Sequence, residues 1–202
     1  MILVLIILAY LLGSFPTAWL INQFRFRRDI RQQGSGNVGT LNFLRVTRSI
    51  PLALIVLLLD TGKAFLAVWL SSRYINGTLL LFPVLAVLAG HIYPVWLKGK
   101  GGRGMAALAG VFLYLAPYMV ALWWIVFGLL YLFTRKYIIA GLTALFITNI
   151  TIALVHGGTL FLISSAGSVL VFYQYLSRLK SELEHSNQKK GEFYVSEKDR
   201  TV

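Results

Sequence analysis

A chain of 202 residues that is 57% hydrophobic and only 13% charged is not an ordinary soluble domain, where about 25% of residues are charged; it reads as an integral membrane protein. The net charge of +12 does not point to nucleic acid, because most Lys and Arg flank apolar stretches and so act as orientation signals. With no cysteine in the chain, disulfides, thiol nucleophiles and cysteine-ligated metals are excluded.

The chain is apolar from residue 2 onward, without a basic leader or a small-residue cleavage site, and the stretch outruns a signal peptide. A retained first span is expected over residues 2–24. The loop after it carries "GSGNVGTLNFLR", residues Gly34 to Arg45. A second span is expected over 50–72, containing "DTGK", and a third over 78–97, containing "GHIYPVWL". The loop "KGKGGRG" then leads into 29 apolar residues from Met105 to Phe133. As one helix these would rise about 43 Å, too long for a core of about 30 Å, so a pair turning at Ala116–Pro117 is expected, with spans 105–116 and 118–133. Spans 138–155 and 159–176 complete a single polytopic domain, 1–176, followed by a polar tail, 177–202.

Charge orients these seven helices. With the N-terminus outside, the segments 25–49, 98–104, 134–137 and the tail lie inside and hold 17 of the 19 Lys and Arg, as the positive-inside bias requires. The fold class is therefore an all-α integral membrane protein of seven transmembrane helices, N-terminus outside and C-terminus cytoplasmic.

Both glycine-rich stretches fall on the cytoplasmic side in this topology. Glycine permits φ > 0 and close approach, so successive backbone N–H groups can converge on one anion. Ser35, Asn37 and Asn42 add neutral donors, and Arg45, Lys100 and Arg103 add charge, arginine being able to grip phosphate bidentately. The alternative is a pair of interfacial loops whose arginines meet only lipid head groups. The first stretch is not a Walker A motif, since no Gly-Lys-Ser/Thr follows its glycines, so ATP is not implied. Asp60 and Lys63 share a helix face near the bilayer midplane. There they form a mutual salt bridge or tie between helices, or serve a cavity that reaches them. His91, beneath "KGKGGRG", is either a base and phosphate donor or a helix-to-helix hydrogen bond. No metal-binding cluster and no Ser-His-Asp set is visible.

At these residues the chain resembles the bacterial membrane acyltransferases that use acyl phosphate to acylate glycerol 3-phosphate. The resemblance rests on "GSFPTAWLI", "GSGNVGTLNFLR", "DTGK" and "GHIYPVWLKGKGGRGMA" in order. It implies a seven-helix fold in the bacterial inner membrane, a cytoplasmic site and no cofactor. The expected partners are the two substrates, membrane lipid and an enzyme that forms acyl phosphate. It further implies catalytic roles for Ser35, Arg45 and His91, and phosphate binding by Gly34, Ser35, Gly36, Asn37, Gly39, Asn42, Arg45, Lys100, Gly101, Gly102, Arg103, Gly104 and Arg178. Supporting roles fall to Ser14, Asp60, Lys63 and Glu184. The chain departs from the family pattern at Arg103, where lysine is usual, and at Phe172 and Tyr175, where histidine and asparagine are usual. The usual serines are also missing from "RKYIIAGLTA". A non-catalytic relative or a small anion transporter is the alternative.

Overall fold

The structure, a computed structural model, describes residues 1–176; the tail, with Arg178 and Glu184, lies outside the described residues. Nine α-helices run through them: α1 Ile2–Ser14, α2 Thr17–Phe26, α3 Thr40–Thr47, α4 Ile50–Ser72, α5 Leu81–Ile92, α6 Met105–Leu115, α7 Pro117–Thr134, α8 Tyr137–Val155 and α9 Gly158–Leu176. Six apolar stretches are long enough to cross a membrane, and α6 is a shorter one of 11 residues. The chain is thus an all-helical, multi-pass membrane protein, with large apolar side chains such as Leu58, Leu154 and Phe133 turned outward because lipid is as apolar a solvent as the core.

The first span is broken where one helix was expected. Pro16 has no N–H to donate, and Phe15 before it is extended, with φ −60° and ψ 114°, the conformation a following proline favours. A break in hydrocarbon must find other partners for its backbone. Here Lys63 Nζ donates to the Phe15 carbonyl at 2.8 Å and to Asp60 Oδ1 at 2.8 Å. Thr17 Oγ1 donates to the same carboxylate at 3.0 Å. Asp60 and Lys63 are therefore a salt bridge and a tie between α4 and the broken span at once.

The turn between α6 and α7 falls at Ala116, with φ −160° and ψ 78°, as expected from length. Small residues let the helices close on one another. A Cβ at Gly13 would overlap the Val87 carbonyl, one at Gly90 the Tyr10 carbonyl, and one at Gly110 the Thr61 carbonyl. These contacts set α1 on α5 and α6 on α4. Gly110→Val is expected to cost about 1–3 kcal/mol, the usual range for overpacking, read as a lowered unfolding midpoint in detergent. Gly128→Val, where nothing lies within 4 Å, should leave the midpoint close to wild type.

Candidate functional site

The first loop is shaped before it is functional. Arg27 ends α2 in the left-handed conformation, and Asp29 then caps a short turn by accepting from the Arg31 N–H at 2.9 Å. The Arg31 guanidinium, 2.6 Å away, holds the Asp29 carboxyl down at about 2. A depressed carboxylate gives its stabilisation above its unfolded value and loses it only as pH falls toward about 2, so this corner stays charged throughout the neutral range. Gly34 and Gly36 follow with φ of 57° and 70°.

Asn42, on the first turns of α3, closes the loop. Its Oδ1 accepts from the Ser35 N–H at 2.8 Å, and its Nδ2 donates to the carbonyls of Gln33 at 3.1 Å and Asn37 at 2.9 Å. The side chain is 2% exposed. Asn42 was expected to be a donor to phosphate; its amide is instead bonded to the loop itself, while Ser35 and Asn37 line the cavity below. A Cβ at Gly34 would strike this same amide, which explains the glycine.

The second loop folds back on the end of α5. Gly101 N–H donates to the Ile92 carbonyl and Gly102 N–H to the His91 carbonyl, each at 3.0 Å. A Cβ at Gly102 would lie on the His91 imidazole. Glycine is required there for packing over the ring. The Val38 N–H donates to the Gly101 carbonyl at 3.3 Å, so the two glycine-rich loops are stitched side by side.

Beneath them lies a cavity of about 300 Å³. Its lining is in part polar, with Ser35, Asn37, Thr40, Arg45, His91 and Arg103, and otherwise mostly apolar, with Leu57, Leu108, Phe112, Trp123, Phe127 and Leu145. Asp60 also reaches it, and so the midplane carboxylate and the loops share one space. The Asp60 oxygen lies 3.7 Å from His91 Nδ1. Three buried polar atoms of lining residues have no hydrogen-bond partner among the described residues: Thr40 Oγ1, His91 Nδ1 and Tyr137 OH. Buried groups of this kind are costly unless something meets them, and here they belong to residues that line the same cavity as Arg45 and Arg103.

Of the residues singled out from the sequence, Ser35, Asn37, Gly39, Asn42, Arg45, Asp60, His91, Arg103 and Gly104 line the cavity. Gly34, Gly36, Gly101 and Gly102 shape the loops. Lys100 is exposed and is not among the lining residues, Lys63 is engaged with Asp60 and Phe15, and Ser14 is fully buried with its hydroxyl unpartnered among the described residues. Two tyrosines join the arginines: Tyr137, which no sequence pattern marked, and Tyr175, marked only as a departure from the family pattern. The Arg45 guanidinium lies 5.2 Å from the Tyr137 ring centre and that of Arg103 lies 5.6 Å from the Tyr175 ring centre, distances at which a cation is attracted to an aromatic face. The only signal available for Tyr175 was that an aromatic stood where the family pattern has asparagine.

Residues 3–185 match the family model described as glycerol-3-phosphate acyltransferase. A glycerol-3-phosphate acyltransferase of Anaplasma phagocytophilum is 34% identical over 185 residues, covering 90% of this chain and 95% of that one. One from Staphylococcus saprophyticus is 35% identical over 192 residues, covering 89% and 93%. Crystal structures of PlsY (YgiH), an integral membrane glycerol 3-phosphate acyltransferase, superpose with TM-scores of 0.82 for the glycerol 3-phosphate form and 0.80 for the lysophosphatidic acid form. Identities are 27% and 26%, and each covers 91% of this chain and 92% of that one. The chain belongs to the glycerol-3-phosphate acyltransferase family, and it is a multi-pass membrane acyltransferase.

Proposed function

We propose that the protein transfers a fatty acyl group from acyl phosphate to the 1-hydroxyl of glycerol 3-phosphate at the cytoplasmic face of a bacterial inner membrane. The hydroxyl oxygen attacks the acyl carbonyl carbon, the bond from that carbon to the phosphate oxygen breaks, and phosphate leaves with the electron pair. The hydroxyl proton departs with the phosphate. The products are lysophosphatidic acid, an early intermediate of phospholipid synthesis, and inorganic phosphate. The observation that carries this reading is a cavity whose lining joins Arg45, Arg103, Ser35 and Thr40 to apolar side chains of α4, α6, α7 and α8, which suits an anionic head joined to an acyl chain.

An acyl phosphate is a mixed anhydride and is already activated, so positioning and charge neutralisation supply the catalysis. Arg45 and Arg103 neutralise phosphate oxygens; Ser35, Asn37 and Gly39 complete the cradle from the first loop. His91, held between Asp60 and the backbone at Gly102, carries the second loop and sets the height of Arg103 and Gly104. Lys100, exposed beside the cradle, draws anions toward its mouth. The acyl chain lies against Leu108, Phe112, Trp123 and Leu145. Chemistry at the inner face also suits hand-over of acyl phosphate from the enzyme that forms it.

Two measurements test this. Purified protein given glycerol 3-phosphate should form lysophosphatidic acid with acyl phosphate as donor and none with acyl coenzyme A; the reverse preference removes the assignment of donor. A cysteine at Gly99, which has open space around it, should react with an impermeant thiol reagent only from the cytoplasmic side. Labelling from outside would invert the orientation.

A further inference from the structure

The start of α8 places a residue in the cavity that the glycine loops do not account for. Four residues of this helix line it: Tyr137, Ile138, Gly141 and Leu145. Of these, Tyr137 alone brings a polar side chain, on the segment "RKYIIAGLTA" that lacks the serines of the family pattern. The residue is held firmly. Arg135 ends α7 in the left-handed conformation with φ 55°, Lys136 is the N-cap of α8, and one turn further on Trp123 Nε1 donates to the Gly141 carbonyl at 3.2 Å. The Trp123 ring in turn stacks on Phe127, 5.0 Å between centres and 6° from parallel. The tyrosine is thus fixed in the cavity lining with the Arg45 guanidinium over its ring, 5.2 Å from the centre. Its hydroxyl is buried and has no hydrogen-bond partner among the described residues.

We propose that Tyr137 is a substrate-binding residue of this acyltransferase: its hydroxyl donates a hydrogen bond to a phosphate oxygen of glycerol 3-phosphate or of acyl phosphate, while its ring holds Arg45 over the same group. The inference rests on the reading of the cavity as the acyl-transfer site. A phenol buried without a protein acceptor is costly in the empty protein, and an anionic phosphate oxygen is the strong acceptor that matches it. The ring does the second task, because a guanidinium stacked on an aromatic face keeps its fork of N–H donors free for phosphate. The two tasks separate by mutation, since phenylalanine keeps the ring and loses the hydroxyl.

Tyr137→Phe is expected to lower kcat/KM by roughly 10- to 100-fold, the range for losing a hydrogen bond to a charged group. In the substrate-free protein it should unfold at a temperature no lower than wild type, because no protein partner is lost. The upward shift that the bound substrate adds to the wild-type unfolding temperature should shrink. A rise in KM for glycerol 3-phosphate alone assigns the contact to the acceptor's phosphate, and a rise for acyl phosphate alone assigns it to the donor's. Tyr137→Leu removes the ring as well and should fall below Tyr137→Phe, whereas in an Arg45→Ala background Tyr137→Leu and Tyr137→Phe should lower kcat/KM alike, because only the hydroxyl contact is then left to lose. Wild-type kcat and both KM values in Tyr137→Phe overturn the proposal while wild-type turnover leaves the function standing. A lowered unfolding temperature in the substrate-free Tyr137→Phe protein, with its ligand-induced shift intact, overturns it in favour of a structural role.

Discussion

Replacing Arg45 by alanine is expected to reduce turnover by about 10²- to 10³-fold, the usual cost of removing one preorganised group that stabilises developing charge, while the protein still folds. Arg45 is exposed, stands on α3 and, among the described residues, makes its ring contact with Tyr137 alone, so its loss leaves the helix packing alone. Arg45→Lys should recover part of the rate but not all. An ammonium supplies a point charge and lacks the planar fork that matches two phosphate oxygens. The check is steady-state kinetics on both substrates together with an unfolding curve for each variant. Wild-type constants in Arg45→Ala would remove this residue from the phosphate site.

The second large effect concerns stability. Asp60 and Lys63, with side chains 3% and 9% exposed, are two opposite charges within the bilayer span, and removing one leaves the other without its counter-charge. Asp60→Ala or Lys63→Met is expected to cost about 3–5 kcal/mol, the range for breaking a buried pair. The double variant Asp60→Leu with Lys63→Met should regain a large share of that loss, since replacing both charges avoids an uncompensated one. Recovery stays incomplete because the Phe15 carbonyl and the Thr17 hydroxyl lose their partners. Unfolding midpoints of the two single variants and the double variant in the same detergent form the test. Losses that simply add would show that the pair does not act as one unit.

These two predictions also mark where the sequence was legible. The second span was expected over 50–72 and is α4, Ile50–Ser72. The spans expected over 138–155 and 159–176 are α8 and α9 to within a residue. Hydrophobic length alone reads such helices, because the bilayer sets how long an apolar stretch must be. The break at Phe15–Pro16 was not legible in that way. Its proline was visible, but hydropathy is blind to a break whose freed carbonyl is met by a lysine 48 residues away.

The same distinction divides the site. Local chemistry marked Ser35, Arg45, His91 and Arg103, and they lie on one cavity. Asn42 was visible as a residue, yet its work of bonding Gln33, Ser35 and Asn37 depends on a loop shape that residue types do not reveal. Lys100 and Arg103 read alike as cations of one glycine loop, and only the fold-back of that loop over His91 separates the exposed one from the one in the cavity. The pairing of Arg45 with Tyr137 and of Arg103 with Tyr175 joins residues far apart in sequence. No single-chain pattern encodes such a meeting.

The central claim is that the two stitched loops and the cavity beneath them form one acyl-transfer site. The most direct measurement is to follow phosphate and lysophosphatidic acid together in vesicles containing the purified protein, supplied with acyl phosphate and glycerol 3-phosphate. The account predicts that the two products form in equal amounts, only when both substrates are present, and that Arg45→Ala suppresses them in parallel. Phosphate released without lysophosphatidic acid, or no product at all from the folded wild-type protein, would contradict it.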